Sequence, residues 1–185
     1  MNYSYWYINN FCNKNEINKI TSFIEKKFDY KQDVESSAKD INGKTKKHLN
    51  TLVINFKKIK HLVENLESKI HSINEDNFGY ILYPFNSSTE ALLNIYDSKQ
   101  KSNYDWHIDS SKTNIKDFKL TVLLNLSKSY EGGQLCFFEG NEFVVEEFKP
   151  GTLLLFKSHI NHKVMPVTKG IRKTLSLFCT GPKFR

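Results

Sequence analysis

Apolar side chains recur along the chain at two different periods, and the change of period divides it. Between Asn13 and Phe28, residues Ile17, Ile20, Phe23, Ile24 and Phe28 fall three and four apart, which predicts one helix with a single buried stripe. Asn13 or Asn15 offers the side-chain oxygen that caps such a helix. A second stripe, Ile59, Leu62, Val63, Leu66, Ile70 and Ile73, predicts another amphipathic helix. Tyr5 to Ile8 and Leu52 to Phe56 read as short strands, and the polar residues 30–47 around Gly43 as a loop.

From Phe78 onward the segments become short, β-branched or aromatic, and are separated by Gly, Pro, Asn and Ser. Strands are predicted near 78–83, 91–96, 104–109, 119–126, 133–138, 142–148, 151–157, 161–167 and 172–180. So many short strands in succession predict a barrel or a two-sheet jelly roll. No Pro/Gly linker or internal repeat interrupts the chain, so residues 1–185 are expected to form one α+β domain. In it a helical support region, 1–77, packs on one outer face of a jelly-roll core, 78–185.

Composition changes this picture little. The formal charge is +7 and the pI about 9.2, with six lysines between Lys44 and Lys60. No block of arginines interleaved with aromatics accompanies them, so charge alone does not argue for a nucleic-acid partner. Cys12, Cys136 and Cys179 are scattered without Cys-x-x-Cys spacing, which argues against a disulfide framework or a zinc ribbon and for reduced thiols in the cytoplasm. The N-terminus has no basic run followed by an apolar one, so no signal peptide is expected, and no apolar stretch approaches the roughly 20 residues of a membrane span.

The candidate chemistry begins at Tyr104-Asp105-Trp106-His107-Ile108-Asp109. In a strand, residues i and i+2 share a face, so His107 and Asp109 would present an imidazole and a carboxylate side by side. That is two thirds of the two-histidine, one-carboxylate set that holds non-haem Fe(II) with other positions open. Two histidines remain as a third ligand. His159 falls in a connecting turn, whereas His162 begins a strand and precedes Arg172 by ten residues across the turn Thr168-Lys169-Gly170. His162 is therefore preferred, with Arg172 brought near by a hairpin. Arg172 would bind a carboxylate with both arms of its guanidinium. Each residue alone has an ordinary reading as core or surface; the joint arrangement carries the inference. His48, His61 and His71 lie in the lysine-rich segment or off the apolar stripe and read as solvated. Cys136 and Cys179 fall within strands and read as buried, and Trp106 as packing on the face opposite His107.

Four stretches carry a family resemblance: Tyr104-x-x-His107-x-Asp109, Tyr130-Glu131-Gly132-Gly133-Gln134-Leu135, Lys149-Pro150-Gly151, and His162-Lys163-Val164-x-Pro166-Val167-Thr168-x-Gly170-x-Arg172. From about residue 78 to the end, the chain resembles the prolyl 4-hydroxylase-like branch of the 2-oxoglutarate/Fe(II)-dependent dioxygenases. The resemblance implies a double-stranded β-helix core, iron at His107, Asp109 and His162, and the distal carboxylate of 2-oxoglutarate at Arg172. It implies Tyr96 and Thr121 as further residues of the iron and co-substrate pocket, O2 as co-substrate and ascorbate as accessory reductant. Asn125 stands where many relatives carry a tyrosine. The retained Asp109 favours hydroxylation, since halogenating relatives lose that carboxylate. The expected activity is hydroxylation of an unactivated C–H bond, peptidyl proline first, with release of succinate and CO2. A free amino acid or other small molecule is the alternative substrate. An inactive jelly-roll binding module is the alternative from another class, although a binder needs neither the triad nor Arg172. Oxidative demethylation of nucleic acid ranks below these, because the arginine pattern that the nucleic-acid demethylase branch carries after its distal histidine is not seen. The segments 30–47 and 97–103 are candidate covers for the pocket mouth.

Overall fold

The computed structural model describes residues 3–28, 46–111 and 115–184. In chain order its elements are β1 (Tyr5–Ile8), α1 (Lys14–Lys27), β2 (Lys47–His48), β3 (Asn50–Asn55), α2 (Leu66–Asn77), β4 (Glu90–Asp97), β5 (Asn103–His107), β6 (Asp117–Asn125), β7 (Tyr130–Gly132), β8 (Leu135–Glu139), β9 (Asn141–Val144), β10 (Leu153–Lys157), β11 (Asn161–Val164) and β12 (Val167–Gly181). The antiparallel strands form two facing sheets. The major sheet runs β1-β10-β6-β12-β4-β3, with β7 also paired to β12, and the minor sheet runs β2-β5-β11-β8-β9. This is the expected jelly roll. Strands β1, β2 and β3 of the support region are built into the same two sheets as the strands after residue 78.

Helix α1 forms where its stripe predicted it. Asn13 closes a capping box: its Oδ1 accepts from the N–H groups of Asn15 and Glu16, and the Glu16 carboxylate accepts from Asn13 N–H at 2.8 Å. Lys26 and Lys27 meet the negative end of the helix dipole. Ile17, Ile20 and Ile24 are buried against the outer face of the major sheet, in one cluster with Ile70 and Ile73 of α2 and with Leu93, Val122, Leu155, Leu175 and Leu177.

Two expectations fail for the same reason. The second stripe is not one helix: residues 56–58 and 60–62 are 3-10 turns, and α2 starts only at Leu66. Phe56, Ile59 and Leu62 are three residues apart, a spacing that suits a 3-10 turn as well as an α-helix, and all three still pack into the core. The predicted strand 78–83 is extended chain without a ladder. Phe78, Tyr80 and Leu82 pack inward while Ile81 and Tyr83 are exposed, but its link to β12 is the bond from Tyr83 N–H to Thr180 O. Alternation reports which face is buried; it does not report a pairing partner.

The largest departure concerns the last 25 residues. Thr168 to Gly170 is not a hairpin turn. It lies within β12, which pairs first with β7 through a bulge between Val167 and Lys169 and then with β4 and β6. β11 pairs instead with β5 and β8. β11 and β12 therefore belong to opposite sheets, and the chain crosses from one to the other at Met165-Pro166. Of the segment 30–47, residues 30–45 lie outside the described residues, and Lys47 begins β2. The 97–103 segment is a 3-10 turn at 98–100 capped by the Asp97 side chain.

Candidate metal centre and its pocket

The minor sheet sets the histidines. His162 of β11 lies directly opposite His107 of β5, and Val164 opposite Tyr104. Lys163 on β11 thus faces two residues on β5, a bulge at Asp105-Trp106. Asp105 Oδ1 accepts from Trp106 N–H at 2.8 Å within it. The bulge lets both Tyr104 and His107 face inward despite their odd spacing, and their rings stack with centroids 3.5 Å apart. Trp106 packs away from them, edge-on to Phe138 and beneath the Lys163 ammonium, as read from the sequence. Asp109 lies past the end of β5, where its N–H donates to Ser158 O at 2.9 Å.

These three side chains converge. Nε2 of His107 is 3.9 Å from Asp109 Oδ1, Nε2 of His162 is 3.6 Å from Asp109 Oδ2, and all three ligand atoms lie within 4.8 Å of one another. Ligands bound at about 2.1 Å sit some 3–4 Å apart around one ion, so the cluster can hold a metal with little adjustment. Nδ1 of His107 faces Asp105 O at 2.7 Å, and Nδ1 of His162 faces Ile160 O at 2.9 Å. A carbonyl only accepts, so each Nδ1 carries the proton and each Nε2 offers a lone pair to the cluster. Burial, and then the neighbouring His162, push the His107 pKa down to about 3, which keeps it in the neutral, ligating form. Thr121 Oγ1 donates to Asp109 Oδ2 at 2.7 Å and shares a 3.0 Å contact with Ser158 Oγ. The carboxylate is thus oriented from the major sheet. Two imidazoles and one carboxylate, without thiolate, suit non-haem iron.

Arg172 enters the same cavity from the major sheet, across from the histidines. It is 1% exposed. Its Nη1 donates to Thr174 Oγ1 at 3.3 Å, while its Nε and Nη2 are buried without a hydrogen-bond partner. Its guanidinium carbon lies 4.8 Å from the Tyr96 ring centroid and 5.3 Å from that of Phe148. A buried cation with unmet donors is costly unless an anion completes it. The side chain's stem passes over Gly133, where a Cβ would lie 2.9 Å from Arg172 Cδ and φ is +62°. The Glu131-Gly132-Gly133 stretch therefore does more than turn the chain: it makes room for Arg172.

The cavity brings together His107, Asp109, His162, Arg172, Tyr96 and Thr121. Tyr96 sits opposite Arg172 in the β4–β12 register and is buried. Burial raises its phenol pKa, and the charge of Arg172 opposes that. Asn125 is buried behind Arg172, donating to Tyr130 Oη and Phe148 O and accepting from Ser127 N–H. It holds Phe148, whose ring lies against the guanidinium. His159 is in a turn beside Phe184, and His61 lies against Phe23, both outside the cluster. All three cysteines are buried and unpaired. Thr174 and Ser176 also line the cavity; as polar residues alternating with Leu175 and Leu177 they had a readable signal. Lys47 and Asn94 had none. Lys47 faces the cavity only because β2 pairs with β5, Lys47 opposite Tyr104. Burial lowers its pKa, and Asp109 opposes this.

Residues 91–180 match the sequence model of the 2OG-Fe(II) oxygenase superfamily. A PKHD-type hydroxylase of Synechococcus sp. (strain CC9902) is 33% identical over 82 residues, 42% of this chain and 34% of the relative. A second, from Alteromonas mediterranea, is 33% identical over 88 residues, 43% of this chain and 38% of the relative. The chain thus spans a little over a third of the length of the curated relatives it matches. Among solved structures, a viral collagen prolyl hydroxylase from Paramecium Bursaria Chlorella virus-1, in its 2OG complex, superposes with a TM-score of 0.71 at 15% identity over 97% of both chains. A Pseudomonas putida prolyl-4-hydroxylase does so at 0.69 and 16% identity, covering 95% of this chain and 91% of that one. The resemblance read from the four motifs is borne out as a similarity: residues 91–180 match the 2OG-Fe(II) oxygenase superfamily, part of the chain matches PKHD-type hydroxylases, and the fold is shared with prolyl 4-hydroxylases.

Proposed function

We propose that this chain is an Fe(II)- and 2-oxoglutarate-dependent dioxygenase that hydroxylates an unactivated C–H bond, with peptidyl proline as the first candidate substrate and succinate and CO2 as products. One observation carries the reading: a converged His107, Asp109 and His162 cluster shares a cavity with a buried arginine whose Nε and Nη2 have no partner. A metal alone would account for the cluster and a structural role alone for the arginine. A small dicarboxylate that meets both accounts for the pair. In this reading His107, Asp109 and His162 hold the iron, Arg172 binds the distal carboxylate, and Tyr96 and Thr121 line the co-substrate side. Iron with 2-oxoglutarate and O2 supplies the oxidising power for C–H hydroxylation.

The chain's own groups supply position. The two carbonyls on the Nδ1 atoms fix both imidazole planes. Thr121 fixes the carboxylate, and the rings of Tyr96 and Phe148 lie against the guanidinium. Peptidyl proline is supported by neighbours of the same fold: the viral enzyme named as a collagen prolyl hydroxylase, and a Trichoplax adhaerens prolyl hydroxylase held with a peptide fragment. Ascorbate would serve as the reductant that restores Fe(II).

The test loads the protein anaerobically with Fe(II) and 2-oxoglutarate, admits air and measures succinate across proline peptides and free amino acids. Wild type is expected to form succinate, rising with one substrate class. His162→Ala is expected to lose iron binding and turnover together, by about a thousandfold or more in rate. Folded wild type that binds no iron and forms no succinate would sink the reading in favour of a binding module.

A further inference from the structure

We infer that the primary substrate carries a carboxylate, which Lys47 receives at the mouth of the cavity. The inference rests on the dioxygenase reading above and goes beyond it in naming the substrate's chemical class. Across the inner face of the minor sheet, Lys47 lies opposite Tyr104, Tyr104 opposite Val164, and Val164 opposite Leu135, and all four line the cavity. The register therefore aims the lysine inward. Lys47 is half-buried, whereas Arg172 is 1% exposed. One cation is at the mouth and the other at the floor.

Charge then selects the ligand. Among the described residues, the charged side chains lining the cavity are Arg172, Lys47 and Asp109. Fe(II) and the 2-oxoglutarate dianion cancel, and so do Arg172 and Asp109. The charge of Lys47 is left over. Among the described residues no carboxylate is within ion-pair distance of it; its near neighbour is the Tyr104 ring, with the ammonium 5.8 Å from the centroid. A desolvated ammonium without a counter-ion is unfavourable and is relieved by an incoming anion. One residual unit of charge matches a carboxylate better than a phosphate dianion. The facing wall offers Leu92 and Phe178 to an aliphatic body, and Asn94 and Ser176, linked by a 3.0 Å hydrogen bond, to a polar group. The carboxylate is either the α-carboxylate of a free amino acid or an acidic side chain beside the target residue of a peptide.

The experiment measures binding by calorimetry under argon, on protein loaded with Mn(II) and 2-oxoglutarate. The probes are L-proline and L-leucine, their carboxamides, and one proline peptide with either Asp or Asn next to the proline. At least one acid is expected to bind tenfold or more tightly than its neutral counterpart. A free amino acid that wins identifies the α-carboxylate, and the Asp peptide the side chain. Lys47→Met is expected to erase the difference between acid and neutral probe, Lys47→Arg to keep it and Lys47→Glu to invert it. Equal binding of acids and neutral forms, or discrimination that survives in Lys47→Met, overturns the inference while titration of 2-oxoglutarate into the Mn(II) protein still succeeds. Failure of that titration itself overturns the dioxygenase reading and this inference with it.

Discussion

The two faces of the major sheet are both buried and have opposite chemistry. On the helix side, Leu175, Leu177 and Cys179 of β12 join Leu93 of β4 and Val122 of β6 in a dry core. On the cavity side, the alternate residues of the same strands are Arg172, Thr174 and Ser176, Asn94 and Tyr96, and Thr121. One strand thus spends every second residue on stability and the others on a polar interior. Apolar burial contributes about 25 cal/mol per Å², whereas a buried polar group without a partner costs of order 1–3 kcal/mol. The helix face explains why the domain folds. The cavity face, with the Nε and Nη2 of Arg172 unmet, is explained only by something it binds.

The comparison is sharpest when one residue is removed from each face. Leu177→Ala should cost about 2–5 kcal/mol, because the packed helices cannot collapse fully into the gap. Its folded fraction should keep its 2-oxoglutarate affinity. Arg172→Met should do the reverse. The metal-loaded variant should bind 2-oxoglutarate about a hundredfold more weakly, while the free variant melts at or above the wild-type temperature, since a well-packed apolar side chain replaces an incompletely paired buried charge. Thermal melts with and without 2-oxoglutarate separate the two: the ligand should raise the wild-type midpoint and leave the Arg172→Met midpoint in place. An Arg172→Met protein much less stable than wild type would mean that the guanidinium is a structural group and that the contrast between the faces is false.

A smaller effect lies between the sheets. Thr121→Val removes the hydroxyl that donates to Asp109 Oδ2 but keeps the side chain's shape. Metal affinity should fall about 10–100-fold, as expected when a partner that orients a ligand is lost. Stability should change far less than in Leu177→Ala. Unaltered metal affinity would show that the Ser158 clip on the Asp109 backbone orients the carboxylate by itself.

The helix face was legible in the sequence and the cavity face only in part. Period and capping located α1, and alternation located most strands, because both are local consequences of burying one side. His107, Asp109, His162 and Arg172 were found through spacing. How Arg172 reaches the histidines was not: a hairpin from the neighbouring strand was expected, and the strand comes from the facing sheet. That depends on β11 leaving β12 for β5 and β8, a choice between distant partners that no local pattern encodes. The same holds for Lys47, whose direction is set by a pairing with residues more than fifty positions away. The bulge at Asp105-Trp106 changed the geometry without changing the outcome. It turned Tyr104 inward beside His107, where strict alternation from His107 would have pointed it out.

The effect that is smallest per step of the perturbation concerns the metal-free protein and tests whether the cavity face costs stability. His107 is held neutral down to about pH 3 by burial and by the neighbouring His162, against an ordinary value of 6.5. Unfolding frees it to take up a proton wherever the pH lies between these values. The unfolded state then binds more protons, so stability rises with pH through that window. The contribution is fully present above about 6.5 and is lost as pH falls toward 3. One group gives a slope of at most about 1.4 kcal/mol per pH unit, so over a single unit the loss is smaller than that expected for Leu177→Ala. Chemical denaturation of metal-free wild type and His107→Gln at several pH values from about 4 to 7 isolates it. The wild-type curve should fall more steeply on acidification than that of the variant. Parallel curves would mean that the imidazole reaches solvent before iron binds, and that the cavity face is assembled by the metal rather than waiting for it.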